Sequence, residues 1–162
     1  KQLFMECRNR LESISSVHEL VYKTKSYSHI NFKDYLIQII KHIADSYKSS
    51  KNVEVIKNIS DVHVDISSAI PLALIVNELI TNAYKHAFTK NKNGSIEVSL
   101  SEKNKKVVLI IKDNGKGFDK NIVPKNSIGM DILNGLIDQI DGKSQLVSNN
   151  KGTSYKISFS KK

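Results

Sequence analysis

The run SSAIPLALIVNELITNAYKHAF, residues 67–88, constrains the fold more than any other part of the chain. Leu72, Ile75, Val76, Leu79, Ala83 and Ala87 recur at helical spacing, which predicts an amphipathic helix with a large apolar stripe to bury. Pro71 is tolerated in a first helical turn, so the helix is expected to start near Ser67 or Ser68 and run to about Phe88. Glu78, Asn82, Lys85 and His86 fall at i, i+4, i+7 and i+8, on the side opposite the stripe. A carboxylate, an amide oxygen and an ammonium in one line suit a hard cation and phosphate oxygens. A solvated helix face with an incidental charged pair would offer the same residues, so the seam alone leaves both readings open.

The remaining segments say what this helix packs against. Residues 53–59 (VEVIKNI) and 62–66 (VHVDI) alternate apolar and polar, 95–100 (SIEVSL), 144–148 and 153–159 also read as strands, and 106–112 (KVVLIIK) is a very apolar one. Helices are expected over 1–24, 32–48 and 129–140, the last stopped by Gly142 as a C-terminal cap. Residues 25–31 are polar and look like a connection, and 118–127 are irregular. Strands and helices without strict alternation give an α+β fold. The expected architecture is a two-layer α/β sandwich, a mainly antiparallel mixed sheet covered by helices on one face. At 162 residues the chain suits one domain with a small appendage.

Composition narrows the function classes. The net charge of +9 comes almost entirely from scattered lysines, with Arg8 and Arg10 the only arginines. Base readout and bidentate phosphate clamps favour arginine, so the charge reads as solvated surface, with nucleic-acid binding a remaining alternative. No apolar run approaches the ~20 residues of a membrane span. One cysteine, Cys7, excludes an internal disulfide and fits a reducing compartment. The chain begins at Lys1 and is expected to be a piece of something longer.

Three glycine sites complete the pattern. DNGKGF, 113–118, puts Asp113 at the end of the apolar strand, followed by Gly115 and Gly117; glycine there lets a ligand approach without a Cβ in the way. A carboxylate leaving a buried strand costs several kcal/mol unless something donates to it, although Asp-Asn-Gly also suits a plain hairpin turn. SIGMDIL, 127–133, puts Gly129 and Met130 at a helix start, where N–H groups can hold an anion. KGTSYKI, 151–157, brings Thr153 into the last strand. Gly135 sits mid-helix, where close packing is the expected reason.

In this order the motifs resemble the ATP-binding domain shared by sensor histidine kinases, type II topoisomerases and the large heat-shock chaperones. NELITNAYKHAF is similar to the histidine kinases whose Asn box reads Asn-Glu-Leu-x-x-Asn-Ala-x-Lys-His, and RLESISSVHELVYKT resembles the second helix of that group's dimerisation hairpin. The resemblance implies a Bergerat-type fold over 28–162 and a remnant of the dimerisation hairpin over 1–27. It implies ATP and Mg2+ as cofactors and transfer of the γ-phosphoryl group to a histidine outside this chain. Asn82 is then expected to hold magnesium, Glu78 to stand where ATP-hydrolysing relatives keep a general base, and Lys85, with His86 beside it, to touch phosphate. Asp113 would accept from the adenine amino group in a pocket shaped by Gly115 and Gly117, with Gly129 and Met130 beside the phosphates and Thr153 near the adenine. The single glycine at 127–131, where many kinases have two, and the short tract 118–128 depart from the common pattern. His18 matches a position downstream of the acceptor; His29, His42 and His63 show no ligand or triad arrangement. A homodimer through the N-terminal helix, a response regulator as partner, no nucleic acid, and a cytoplasmic location without membrane contact by this part are the implied setting. Membrane anchoring of a longer parent stays open. An anti-sigma-type serine kinase and a non-catalytic nucleotide-binding module are the alternatives.

Overall fold

The computed structural model describes residues 11, 15, 30–47, 52–88, 93–118 and 128–161. Leu11 and Ser15 are helical and exposed. The rest of the expected helix over 1–24, the boundary at 27, His18, His29 and the tract 119–127 lie outside the described residues.

Five strands form one sheet. They are β2 (Val53–Ile59), β4 (Gly94–Lys103), β5 (Lys106–Asp113), β6 (Lys143–Asn149) and β7 (Gly152–Ser160), in the order β2-β4-β5-β7-β6. β2 runs parallel to β4, and every other pair is antiparallel. The register lines up one inward face, with Val98 opposite Ile111, Leu100 opposite Leu109, and Leu109 opposite Ile157. All of these are buried. Because side chains alternate along a strand, the other face carries Ser99, Lys156 and Gln145 toward solvent.

Helices cover the inward face. α1 (Phe32–Tyr47) buries Phe32, Tyr35, Leu36, Ile39, Ile40 and Ile43 on one side. α2 (Ile66–Asn82) is the central helix, packed against both α1 and α3 (Ile128–Gln139). With the turn that follows it, α2 is long and apolar enough to cross a membrane by length and composition, yet most of it is buried inside the protein.

Four local details differ from the sequence reading. The stretch 62–66 contributes only β3 (His63–Val64), which pairs with β1 (Ile30–Asn31) in a separate two-stranded ribbon outside the sheet. α2 starts at Ile66, capped by Asp65, whose Oδ1 accepts from Ser68 N–H at 2.8 Å. Burial opposes ionisation of Asp65, but bonds from Ser67 and Ser68 together hold its carboxyl below the usual range. Pro71 therefore falls in the second turn, where its missing N–H leaves one intrahelical bond unmade. The end of α3 is capped through two residues: Asp141 takes the left-handed conformation at φ 51°, while Gly142 N–H closes back on Ile137 O at 2.9 Å. Finally, a Cβ at Gly135 would meet nothing within 4 Å. Close packing does not account for that glycine.

Candidate functional site

Asp113 ends β5 with a buried side chain. Gly115 N–H donates to its Oδ1 at 2.9 Å, and Thr153 N–H donates to the same oxygen at 3.3 Å. Burial nonetheless dominates, so the Asp113 carboxyl is pushed above its ordinary value and donation from Gly115 and Thr153 pulls it only part of the way back. This carboxylate is held in place before any ligand arrives.

The chain after Asp113 does not fold back as a hairpin. Asn114 extends the pairing of β4 and β5, its N–H reaching Ser95 O at 3.2 Å and its Oδ1 accepting from Ser95 N–H at 2.8 Å. Gly115 then lies against Ala87, and Lys116 N–H donates to Ala87 O at 2.9 Å. Gly117, at φ 61°, lies against the backbone of Asn149; any Cβ there would collide with the Asn149 carbonyl. Phe118 N–H donates to Ser148 Oγ at 2.9 Å. The glycine loop thus joins the end of the central helix to the β6–β7 hairpin.

Where that helix receives the loop, its geometry changes. Ala83–Ala87 form a π turn directly after Asn82. The i→i+5 pattern rotates less per residue than an α-helix, so Lys85 and His86 no longer follow the α-helical phase of Glu78 and Asn82. Tyr84 within the turn stacks on Tyr47 of α1, with centroids 4.8 Å apart and planes 6° from parallel. Burial, with the Asp45 carboxylate adding to it, raises the Tyr84 phenol above its ordinary value. On the same helix, Asn77 Oδ1 and Thr81 Oγ1 are buried without a hydrogen-bond partner.

Along the seam, Glu78 is buried, Asn82 and Lys85 are half-buried, and His86 is exposed. Ala87 lies five residues beyond Asn82, on the order of 7 Å along the axis. The bond from Lys116 to Ala87 therefore brings the end of the helix bearing Glu78 and Asn82 against the loop after Asp113. Among the described residues no group of three or more His, Cys, Asp or Glu could cage a metal.

Gly129 and Met130 occupy the first turn of α3. Tyr155 O–H donates to Met130 Sδ at 3.2 Å, which ties this turn to β7 two residues from Thr153. Burial pushes the Tyr155 phenol up to about 12. Among the described residues, a Cβ at Gly129 would meet nothing within 4 Å.

Two participants escaped the sequence reading. Gly152, at φ 123°, packs against the Asp113 carbonyl, where a Cβ would collide with the carbonyl oxygen. Its place in the Gly-Thr pair was the available signal. Ser148 Oγ lies 3.1 Å from Thr153 Oγ1. A lone serine in a strand carries no such signal.

Residues 67–162 match a family described as "Histidine kinase-, DNA gyrase B-, and HSP90-like ATPase", and residues 1–47 match one described as "Histidine kinase". Sensor histidine kinase LiaS of Bacillus subtilis is 25% identical over 119 residues, covering 73% of this chain and 32% of that protein. The histidine-protein kinase/phosphatase DegS of Brevibacillus brevis is 32% identical over 98 residues, 60% of this chain and 23% of its own length. The chain thus spans a third or less of these curated relatives. Among solved structures, the histidine kinase domain of the Erythrobacter litoralis EL346 blue-light activated kinase superposes with a TM-score of 0.87 at 19% identity, covering 96% of this chain and 74% of that one. The mycobacterial sensor histidine kinase MprB gives 0.65 at 15% identity, with 85% and 99% covered.

Proposed function

Since the chain belongs to the histidine kinase-, DNA gyrase B- and HSP90-like ATPase family, we propose that it is the catalytic part of a sensor histidine kinase, moving the γ-phosphoryl group of ATP to a histidine outside residues 1–162. The observation that carries this reading is the fixed Asp113 carboxylate, joined through Gly115 and Lys116 to the end of the helix bearing Glu78, Asn82 and Lys85. The family match over residues 1–47 favours histidine over serine as the acceptor.

Each residue has a task that its chemistry suits. Two backbone donors occupy Asp113 Oδ1, and Oδ2 accepts from the adenine amino group. A hydrogen bond to a charged group contributes roughly 1.5–3 kcal/mol. Guanine presents a carbonyl oxygen at that position, which repels the carboxylate, so the site selects ATP over GTP. Lys85 binds phosphate oxygen as a point charge, with His86 at the rim. The open side of Gly129 leaves room for the phosphates beside the N–H groups of α3's first turn.

Magnesium fits the donor set. It keeps waters and phosphate oxygens as ligands and needs one or two hard protein oxygens, so the amide of Asn82 suffices without a cage. When bound, it supplies charge neutralisation on the triphosphate. The attacking nitrogen of a neutral imidazole already carries its lone pair. The nitrogen–phosphorus bond forms as the bond to the β,γ-bridging oxygen breaks, and ADP leaves with that electron pair. Glu78 therefore has no proton to remove before attack; it orients the acceptor imidazole or a metal-bound water. The protein acts as a homodimer through its N-terminal helix, passes phosphate to a response regulator, and keeps this part in the cytoplasm.

Titration calorimetry tests the site. Asp113→Asn is expected to weaken ATP binding about ten-fold or more, because an amide NH2 then opposes the adenine amine. Undiminished affinity in a folded variant would remove Asp113 from the site.

A further inference from the structure

The peptide that links Asn114 to Gly115 is drawn in two directions. Asp113 pairs with Ile96 in the β4–β5 ladder, so the register places Asn114 opposite Ser95. Asn114 N–H donates to Ser95 O at 3.2 Å, as a continued ladder requires. A hydrogen-bonded antiparallel pair exchanges two such bonds, and the second would run from Ser95 N–H to the Asn114 carbonyl. That carbonyl shares one planar trans peptide with Gly115 N–H, so the two point in opposite directions. With the carbonyl closing the ladder, Gly115 N–H would point along the sheet toward β7. In the structure it turns instead to Asp113 Oδ1, at 2.9 Å, on the buried face of the sheet. A side chain resolves the conflict: Ser95 N–H donates to Asn114 Oδ1 at 2.8 Å.

We propose that Asn114 is a positioning residue for adenine recognition: its side-chain oxygen replaces its own carbonyl at Ser95, which frees the 114–115 peptide to aim Gly115 N–H at Asp113. This rests on the reading of Asp113 as the adenine acceptor. Asn114 is itself exposed and acts through Gly115. The next donor along the chain, Lys116 N–H, meets Ala87 O at 2.9 Å, so the same turn also sets the loop against the end of the central helix. Gly115 packs directly on Ala87, where a Cβ would collide with the carbonyl, so the turned peptide has little room to move elsewhere. Without the side-chain oxygen, Ser95 N–H draws the main-chain carbonyl back toward the ladder. Asp113 Oδ1 then loses the shorter of its two backbone bonds. Asparagine and aspartate carry an acceptor oxygen at the reach this exchange needs, and alanine carries none.

The experiment pairs calorimetric titration of ATP with NMR amide exchange of the nucleotide-free protein, in the wild type, Asn114→Ala and Asn114→Asp. Because Asn114 is exposed, its truncation leaves the core intact and the variants are expected to fold. Asn114→Ala is expected to weaken ATP binding about two- to ten-fold. In the same variant the Gly115 amide is expected to exchange faster by a similar factor, because its bond to Asp113 is made less of the time. Asn114→Asp keeps the oxygen and is expected to recover both quantities to within about two-fold of wild type. The recovery separates the proposed role from a general loosening of the sheet end, which either substitution would cause. Unchanged Gly115 exchange in Asn114→Ala would overturn the proposal whatever ATP does, and so would unchanged ATP affinity or a failure of Asn114→Asp to recover. The adenine reading is tested apart from this. If Asp113→Asn binds ATP normally, that reading fails on its own; if it binds weakly while Asn114→Ala matches wild type, only the role of Asn114 fails.

Discussion

At the Asp113 end of the site, a strand end, a glycine loop and a hairpin converge, and their backbone donors meet on one carboxylate oxygen. At the Asn82 end, a helix changes pitch, two half-buried polar side chains face outward, and no described residue stands near a Cβ placed at Gly129 in the first turn of α3. On the proposed reading, the first end holds a planar base in one orientation. On the same reading, the second receives a large, highly charged group. The difference follows from chemistry: a purine edge offers a fixed pattern of donors and acceptors, which rewards rigidity, whereas a triphosphate brings its own charge and waters. Substitutions at the first end should therefore disturb fold and binding together, and those at the second should separate them.

The largest expected effect lies at Gly152. A side chain there meets the Asp113 carbonyl at a backbone angle that only glycine adopts easily. Gly152→Ala is expected to destabilise the domain by about 3 kcal/mol or more, seen as a lowered denaturant midpoint. A stability loss below about 1 kcal/mol would show that this end is more yielding than its packing implies.

Acidity provides the next contrast. Burial raises the Asp113 carboxyl above 3.8, so the folded state holds that proton more tightly than the unfolded chain does. Its contribution to stability is thus fully present below the unfolded value and lost as pH rises through the folded one. ATP affinity runs the other way, because the ionised carboxylate is the stronger acceptor. Between wild type and Asp113→Asn, the difference in melting temperature should shift in favour of wild type on acidification through that window, while the difference in ATP affinity narrows. Parallel curves would mean that Asp113 does not titrate as its burial requires. Comparing the pair matters because Asp65 works in the opposite sense: its lowered carboxyl stabilises the fold above its unfolded value and ceases to do so as pH falls.

The smallest effect is the sharpest discriminator. Gly129 and Gly135 sit in the same helix, each with nothing near a would-be Cβ. Alanine at either should raise stability by about 0.5–1 kcal/mol, since helical glycine carries an entropic penalty. Only Gly129→Ala should also weaken ATP binding, because its methyl enters the space assigned to phosphate. Equal ATP affinity in the two variants would take Gly129 out of the site.

These contrasts also show what the sequence could reveal. Periodicity exposed the central helix and the sheet because burial demands it: Leu72, Ile75, Val76 and Leu79 all lie in the core, as do alternate residues of β4 and β5. Asp113, Gly115 and Gly117 were legible as a group because a buried carboxylate and a close backbone approach each impose a residue type. The π turn was not, since AYKHA is compatible with an ordinary helix and the residues that meet the turn, Tyr47 and Lys116, are both distant in sequence. Residues 62–66 alternate, but alternation does not say which strand pairs with which, so the pairing of His63–Val64 with Ile30–Asn31 outside the sheet was not legible. Gly142 was legible as the cap of α3, whereas the left-handed residue before it, Asp141, was not.

The central claim is that Asp113 and Asn82 bound the two ends of one nucleotide site. A crystal structure of the protein with magnesium and a non-hydrolysable ATP analogue measures this directly. The account predicts the adenine amino group within hydrogen-bonding distance of Asp113 and the triphosphate beside Asn82 and Lys85, in a single bound molecule. An analogue whose base lies away from Asp113, or whose phosphates avoid the Asn82 helix, would contradict it.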